Sequence, residues 1–244
     1  MDKTTFFNTL ALACEQNSIS ALATPAVREH LFALYELLVS ENSKYNLTAI
    51  TSPEDVIYKH FVDCMLLAQH IPADSTLIDV GCGAGFPSLP LCIVRPDLKI
   101  TALDSTNKKI HFIQLVAERL KLQNITAICG RAEEIARDVA FRDSFDISTA
   151  RAVANFPVLC ELCLPFVRPG GVFLAMKGRY SEQEFNISPS SVGQLSANAP
   201  IVSTYLLNIG DANEQRTLIK VNKIGKTRDN FPRKYAQITK KPLI

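Results

Sequence analysis

The chain has 244 residues, 47% of them hydrophobic and 20% charged, with a formal net charge of +2. At roughly 150 residues per domain that length fits one main domain with appendages, and the composition excludes a disordered, collagen-like or coiled-coil chain. No apolar stretch approaches the roughly 20 residues of a membrane-crossing helix, and the start at Met1-Asp2-Lys3 lacks the charged and apolar regions of a signal peptide; a cytoplasmic address and no membrane partner are expected.

The first seventy residues read as helices. Thr24-Pro25 supplies a cap and a first-turn proline, after which Leu31, Leu34, Tyr35 and Leu38 recur at helical spacing. Ser52-Pro53-Glu54-Asp55 opens another helix, with Asp55 placed to close a capping box. From Thr76 onward, short β-branched runs alternate with helical ones. Strands are expected at 77–80, 99–103, 125–128, 145–148 and 172–176, with helices at about 86–95, 107–121, 131–138 and 155–167 between them. Such alternation implies a doubly wound α/β domain with a mainly parallel sheet. Residues 181–200, rich in Ser, Asn and Pro, read as a loop; 201–207 and 217–221 read as two further edge strands and the last dozen residues as an extended tail. The expected layout is a helical N-terminal cap at 1–72, the α/β domain at 73–224 and a basic tail at 225–244.

The charge is unevenly placed. Residues 216–244 hold nine Lys or Arg and one acid, for +8, against −6 over the rest of the chain. Either a polyanion is approached from that side or the tail is merely solvated; charge alone leaves both open. Seven cysteines, mostly inside apolar segments, are expected to be reduced and buried, and Cys160 and Cys163 to be packed rather than to bind metal, since a zinc site needs a second pair or nearby histidines. No metal site is expected.

In a doubly wound sheet the ligand sits beyond the carboxyl ends of the strands, where the strand order reverses. Here the first strand ends in Asp79-Val80-Gly81-Cys82-Gly83-Ala84-Gly85-Phe86-Pro87. A dinucleotide fingerprint needs a third glycine where Phe86 stands, and no Lys-Ser/Thr follows as in a P-loop. The pattern favours a nucleoside without pyrophosphate, of which S-adenosylmethionine is the common case. Asp104 ends the next strand, where a carboxylate accepts hydrogen bonds from ribose hydroxyls, although it is also placed to cap the following helix. After the third strand, Gly130-Arg131-Ala132-Glu133-Glu134 lies where an adenine ring would sit; an adenine contact and a plain helix start remain open there. Arg151 leaves the fourth strand toward cofactor or base, and Lys177 ends the fifth within reach of phosphate. His60 and Asp63, one helical turn apart, are expected to tie the cap to its neighbour.

These residues resemble a known family. Tyr45-Asn46-Leu47-Thr48-Ala49-Ile50, the run 79–87, Leu103-Asp104-Ser105, the run 130–134, Arg151-Ala152, Pro169-Gly170-Gly171 and Lys177-Gly178 are similar to motifs of the ribosomal RNA small subunit methyltransferase G family, also known as glucose-inhibited division protein B, across residues 30–180. The likeness resumes at Pro232-Arg233-Lys234 and Lys241-Pro242-Leu243. It departs at Ser88 and Ala236, where the family has glycine, and at Ala150, where it has serine. The resemblance implies a Rossmann-like class I methyltransferase fold of seven strands and S-adenosylmethionine-dependent methylation of N7 of one guanine in 16S ribosomal RNA, with the rRNA or the small ribosomal subunit as partner. It also implies cofactor contacts at Gly81, Phe86, Ala132, Glu133 and Arg151; Asp104 joins them by its strand-end position, and Lys177, Arg233 and Lys234 are expected at the substrate.

The residue inventory suits that chemistry. Guanine N7 carries an in-plane lone pair and no proton, so positioning and electrostatics suffice, and no dedicated catalytic residue is expected. The Asn/Asp-Pro-Pro-aromatic motif of amino-group methylases and the Pro-Cys pair of carbon-5 methylases are both missing. An rRNA-binding assembly factor without turnover, or a methyltransferase for another substrate, are the alternatives.

Overall fold

The computed structural model describes residues 1–151, 154–179 and 189–243. Helix α1 (Lys3–Gln16) starts where the Asp2 carboxylate accepts from the Thr5 amide, and α2 (Pro25–Tyr45) where the Thr24 hydroxyl accepts from Val27. Asn46 ends α2 in the left-handed region at φ 49°, a conformation its short polar side chain tolerates. Ser52 caps α3 (Pro53–Asp55), as the sequence predicts. The helix then widens into a π-helical stretch (Val56–Val62) before tightening into α4 (Asp63–Leu67). A π-helical stretch inside an α-helix frequently marks a functional site, and this one carries His60.

The sheet contains β1 (Thr76–Val80), β2 (Lys99–Asp104), β3 (Ile125–Cys129), β4 (Phe145–Arg151), β5 (Val167–Lys177), β6 (Ile201–Ile209) and β7 (Ala212–Asn222) in the order β3-β2-β1-β4-β5-β7-β6. The first five are parallel to one another, and β7 is antiparallel to both β5 and β6. The strand order reverses between β1 and β4, so their carboxyl ends diverge and leave a crevice.

Successive strand side chains face opposite sides, and the core divides accordingly. On one face Leu77 and Ile100 meet α5 (Ser88–Val94), α6 (Asn107–Leu120) and residues of the N-terminal helices such as Phe6, Leu34 and Phe61 in one continuous cluster. Residues 1–72 therefore share the sheet's core instead of building a separate one. On the other face Ile78 and Phe173 meet α7 (Ala132–Ile135) and α8 (Phe156–Cys163).

Two expectations are corrected here. Within the segment read as a loop, α9 (Pro189–Gln194) forms and Val192 and Leu195 are fully buried; residues 180–188 lie outside the described residues. The tail is not extended either: α10 (Tyr235–Lys240) forms, and Phe231, Ile238 and Leu243 pack into the second cluster with α8. In both places the apolar residues are too few for local periodicity to register, and their burial depends on a surface supplied from elsewhere in the chain.

Candidate functional site

A cleft of about 500 Å³ opens beyond the carboxyl ends of β1 to β4. Its volume lies within the range of small-molecule sites. The floor is the turn after β1. Gly81 and Cys82 donate their amides to the Leu103 carbonyl at 2.8 and 3.0 Å, which ties this turn to the end of β2. Gly83 has φ +58°, and a Cβ placed there would meet nothing within 4 Å, so its backbone faces the open cleft. Gly85, at φ +84°, is fixed by packing instead: a Cβ would approach Leu89 Cδ1 to 2.6 Å.

Asp104 links the loops on either side. Its Oδ2 accepts from the Gly83 amide at 3.0 Å and its Oδ1 from Thr106 at 2.8 Å, while Lys109 stands 3.5 Å from Oδ2. Asp104 thus braces both loops and borders the cleft, but it does not cap α6, whose N-cap Thr106 receives no side-chain cap bond. Ala132 and Glu133, the latter buried, line the same end beside Gly130.

Below the floor lies Asp79, fully buried, whose Oδ2 accepts from the Ser88 amide at 3.2 Å and hydroxyl at 2.5 Å, while Oδ1 has no partner among the described residues. Burial pushes its carboxyl up to about 6 in spite of Ser88. The Ser88 hydroxyl is a donor that glycine could not provide.

The wall opposite Asp104 comes from the cap. The His60 ring stacks on Phe86 with centroids 4.2 Å apart and planes 7° from parallel, and the Arg151 guanidinium lies 5.6 Å from the Phe86 centroid. Arg151 donates through Nη1 to the Lys59 carbonyl at 2.9 Å and faces His60 Nδ1 through Nη2 at 2.8 Å. Asp63, 5% exposed, lies between Arg151 at 3.4 Å and Arg216 at 3.1 Å. His60 and Asp63 thus tie the cap to β4 and β7, the role expected from their spacing. Burial and the neighbouring Arg151 push the imidazole down to about 3, so it is neutral at pH 7.

The third wall comes from the tail, where residues 216–244 do not act as one basic surface. Arg216 is engaged with Asp63 and Glu214; Lys223, fully buried, donates to Asp143 at 2.9 Å and Thr227 at 2.6 Å. Arg233 clasps the fully buried Glu161 with its amide at 2.8 Å and its guanidinium at 2.5 Å. Arg233, expected at the substrate, is thus engaged with Glu161. Arg142 and Arg137 hold tail carbonyls from Thr227 to Pro232. This clasp brings Tyr235, 42% exposed, to the rim of the cleft. Lys234 beside it is exposed, and Lys177 donates to the Ala154 carbonyl at 2.5 Å.

Gly81, Phe86, Asp104, Ala132, Glu133 and Arg151 thus surround one cleft, whereas Lys177, Arg233 and Lys234 do not line it. Sequence reasoning had assigned no role in the cleft to Thr48, His60 or Tyr235. Thr48 stands inside a block that carried the family resemblance and Tyr235 directly follows one, which was the available signal.

Six of the seven thiols are buried; Cys129 is exposed because it ends β3, an edge strand, which corrects the expectation for that residue. Burial pushes Cys64 and Cys92 up to about 12 and raises Cys160 and Cys163, so these thiols are poor nucleophiles. Among the described residues no group of three or more His, Cys, Asp or Glu is placed to hold a metal, and no helix is long and apolar enough to cross a membrane.

Comparison with known proteins places this cleft in context. The chain is 44% identical over 215 residues to the ribosomal RNA small subunit methyltransferase G of Clostridium perfringens strain SM101, covering 87% of this chain and 89% of that protein. It is 40% identical over 241 residues to the protein of that name in Clostridium botulinum strain Loch Maree, covering 98% and 99%. The crystal structure of M. jannaschii TYW2 in complex with AdoMet is similar in fold alone, with a TM-score of 0.51 at 15% identity over 67% of this chain and 75% of that one. Residues 28–208 match the model of the GidB family, rRNA small subunit methyltransferase G, and with these relatives the match shows that the chain belongs to that family.

Proposed function

We propose that this protein transfers a methyl group from S-adenosylmethionine to N7 of a guanine in 16S ribosomal RNA. The observation that carries the reading is the cleft at the strand-order reversal, whose floor is open at Gly83 and whose rim carries Asp104. The residues suit the cofactor: Gly81 and Phe86 border the floor, Asp104 keeps lone pairs available to ribose hydroxyls beyond its two backbone bonds, and Ala132 and Glu133 border the adenine end. S-adenosylmethionine held by these residues would supply a sulfonium methyl, electrophilic toward an unprotonated ring nitrogen such as N7.

The protein's own part is to hold and orient. His60 is neutral and its Nδ1 faces Arg151, so it is no free base, and N7 has no proton to lose. Arg151 and the His60–Phe86 stack present a rigid surface to the acceptor. Phosphate contacts fall to the exposed tail cations, Lys234 beside Tyr235 first among them. Lys177 retains a proposed role at the end of β5.

Small subunits from cells lacking this protein, incubated with it and radiolabelled S-adenosylmethionine, are expected to take label at one guanine N7 of the 16S rRNA. Tight RNA binding with no transferred label would instead establish an rRNA-binding factor without turnover; label on another molecule would establish a different substrate.

A further inference from the structure

Thr48 sits on the loop between α2 and α3 and borders the cleft beside His60 and Phe86. The Asn42 side chain holds its backbone from both sides, accepting from the Thr48 amide at 2.9 Å and donating to the Thr48 carbonyl at 3.1 Å. The loop is also pinned by Lys108, which donates to the Tyr45 carbonyl at 2.8 Å.

The direction of each hydrogen bond around Thr48 follows from one fact. A guanidinium only donates, so His60 Nδ1, 2.8 Å from Arg151 Nη2, must accept. The neutral imidazole then carries its proton on Nε2 and donates to Thr48 Oγ1 at 3.0 Å. Oγ1 accepts a second time, from the Ile50 amide at 3.1 Å. Both hydroxyl lone pairs are thereby used, and among the described residues no acceptor is recorded opposite the remaining O–H. Arg151, from the end of β4, thus acts through His60 to leave a donor-only hydroxyl at the cap wall of the cleft.

A donor-only group beside the acceptor site recognises a carbonyl oxygen and rejects an amino group. Guanine presents such an oxygen, O6, next to N7, whereas adenine presents an amino group there. We infer that the Thr48 hydroxyl donates to O6 of the target purine and is a specificity-determining residue that selects guanine and aligns N7; this deepens the function proposed above and rests on it.

The test compares methyl transfer to two small-subunit RNAs, one natural and one with 2-aminopurine, which keeps N7 and lacks O6, at the target position. S-adenosylhomocysteine binding is measured in parallel. The wild type is expected to favour guanine in kcat/KM by roughly 5- to 150-fold, the range of one good base contact. Thr48→Val is expected to bring that ratio close to one while S-adenosylhomocysteine affinity is kept, and Thr48→Ser to retain the ratio. An undiminished guanine preference in Thr48→Val overturns the inference. So does a loss of S-adenosylhomocysteine affinity with the preference intact, which would place the hydroxyl on the cofactor. A wild type that binds S-adenosylhomocysteine and labels no guanine overturns the function as well, so the two failures are told apart.

Discussion

The floor of the cleft and its walls are built on different principles. The floor is local: Gly81 to Phe86 follow one strand directly, and Asp104 ends the next, only 21 residues from the Gly83 amide it holds. The walls are long-range. Arg151 reaches back 91 residues to His60, Arg216 reaches 153 residues to Asp63, and Arg233 reaches 72 residues to Glu161. A floor made from neighbouring residues needs only its strand ends in register, whereas walls made from remote residues depend on the whole fold. Damage to the walls should therefore register as stability and damage to the floor as ligand affinity.

The largest expected effect tests the tail wall. Arg233→Ala leaves the carboxylate of Glu161 buried and uncompensated, at a cost of about 3 kcal/mol in urea denaturation. Adding Glu161→Gln should restore part of that loss, because the unpaired charge is removed. If Arg233→Ala unfolds like the wild type and only weakens RNA binding, the tail is an arm and not a wall.

Next comes the floor. Asp104→Ala removes the acceptor for the Gly83 and Thr106 amides, and hydrogen bonds to a charged group contribute about 1.5–3 kcal/mol each. Affinity for S-adenosylhomocysteine by calorimetry should fall about 100-fold. Unchanged affinity would remove Asp104 from the site.

The cap wall can be probed with pH. The unfolded chain protonates His60 near 6.5, while the folded chain keeps the ring neutral to about 3. The unfolded state binds more protons between these values, so stability from this residue is complete above pH 6.5 and lost as pH falls toward 3, by at most about 1.4 kcal/mol per pH unit. Asp79 acts in the opposite sense between 3.8 and about 6, because the folded state holds its proton more tightly. His60→Gln should flatten the fall in stability below pH 6.5; an unaltered profile would show that the folded ring titrates normally.

The smallest effects belong to single tail cations. Lys220, Lys226, Arg228, Lys234, Lys240 and Lys241 are exposed, and if all meet phosphates the slope of log K against log salt should be roughly −4 for single-stranded rRNA. Lys234→Ala should make it shallower by about 0.7. A flat salt response would leave these residues as solvated surface.

Much of the fold was legible in advance because its signals are local. Alternation of β-branched and helical segments, the Ser52 and Thr24 caps and the glycine turn each depend on a few adjacent residues, and the strands appear near their expected positions. The helices α9 and α10 were missed because their few apolar residues gain their meaning only against partners such as α8. Net charge left two readings open for a similar reason. The nine cations of residues 216–244 are equal by count, but Lys223 is buried against Asp143 and Arg233 against Glu161.

Short-range rules in the sequence located the floor of the cleft, since left-handed glycines after a strand and a strand-end carboxylate follow from local backbone geometry. Tertiary structure alone decided what surrounds it: which cations are exposed, which face His60 turns to Arg151, and which groups meet the Thr48 hydroxyl. Those outcomes depend on desolvation and on donors meeting acceptors across the fold, and neither is set until distant segments come together.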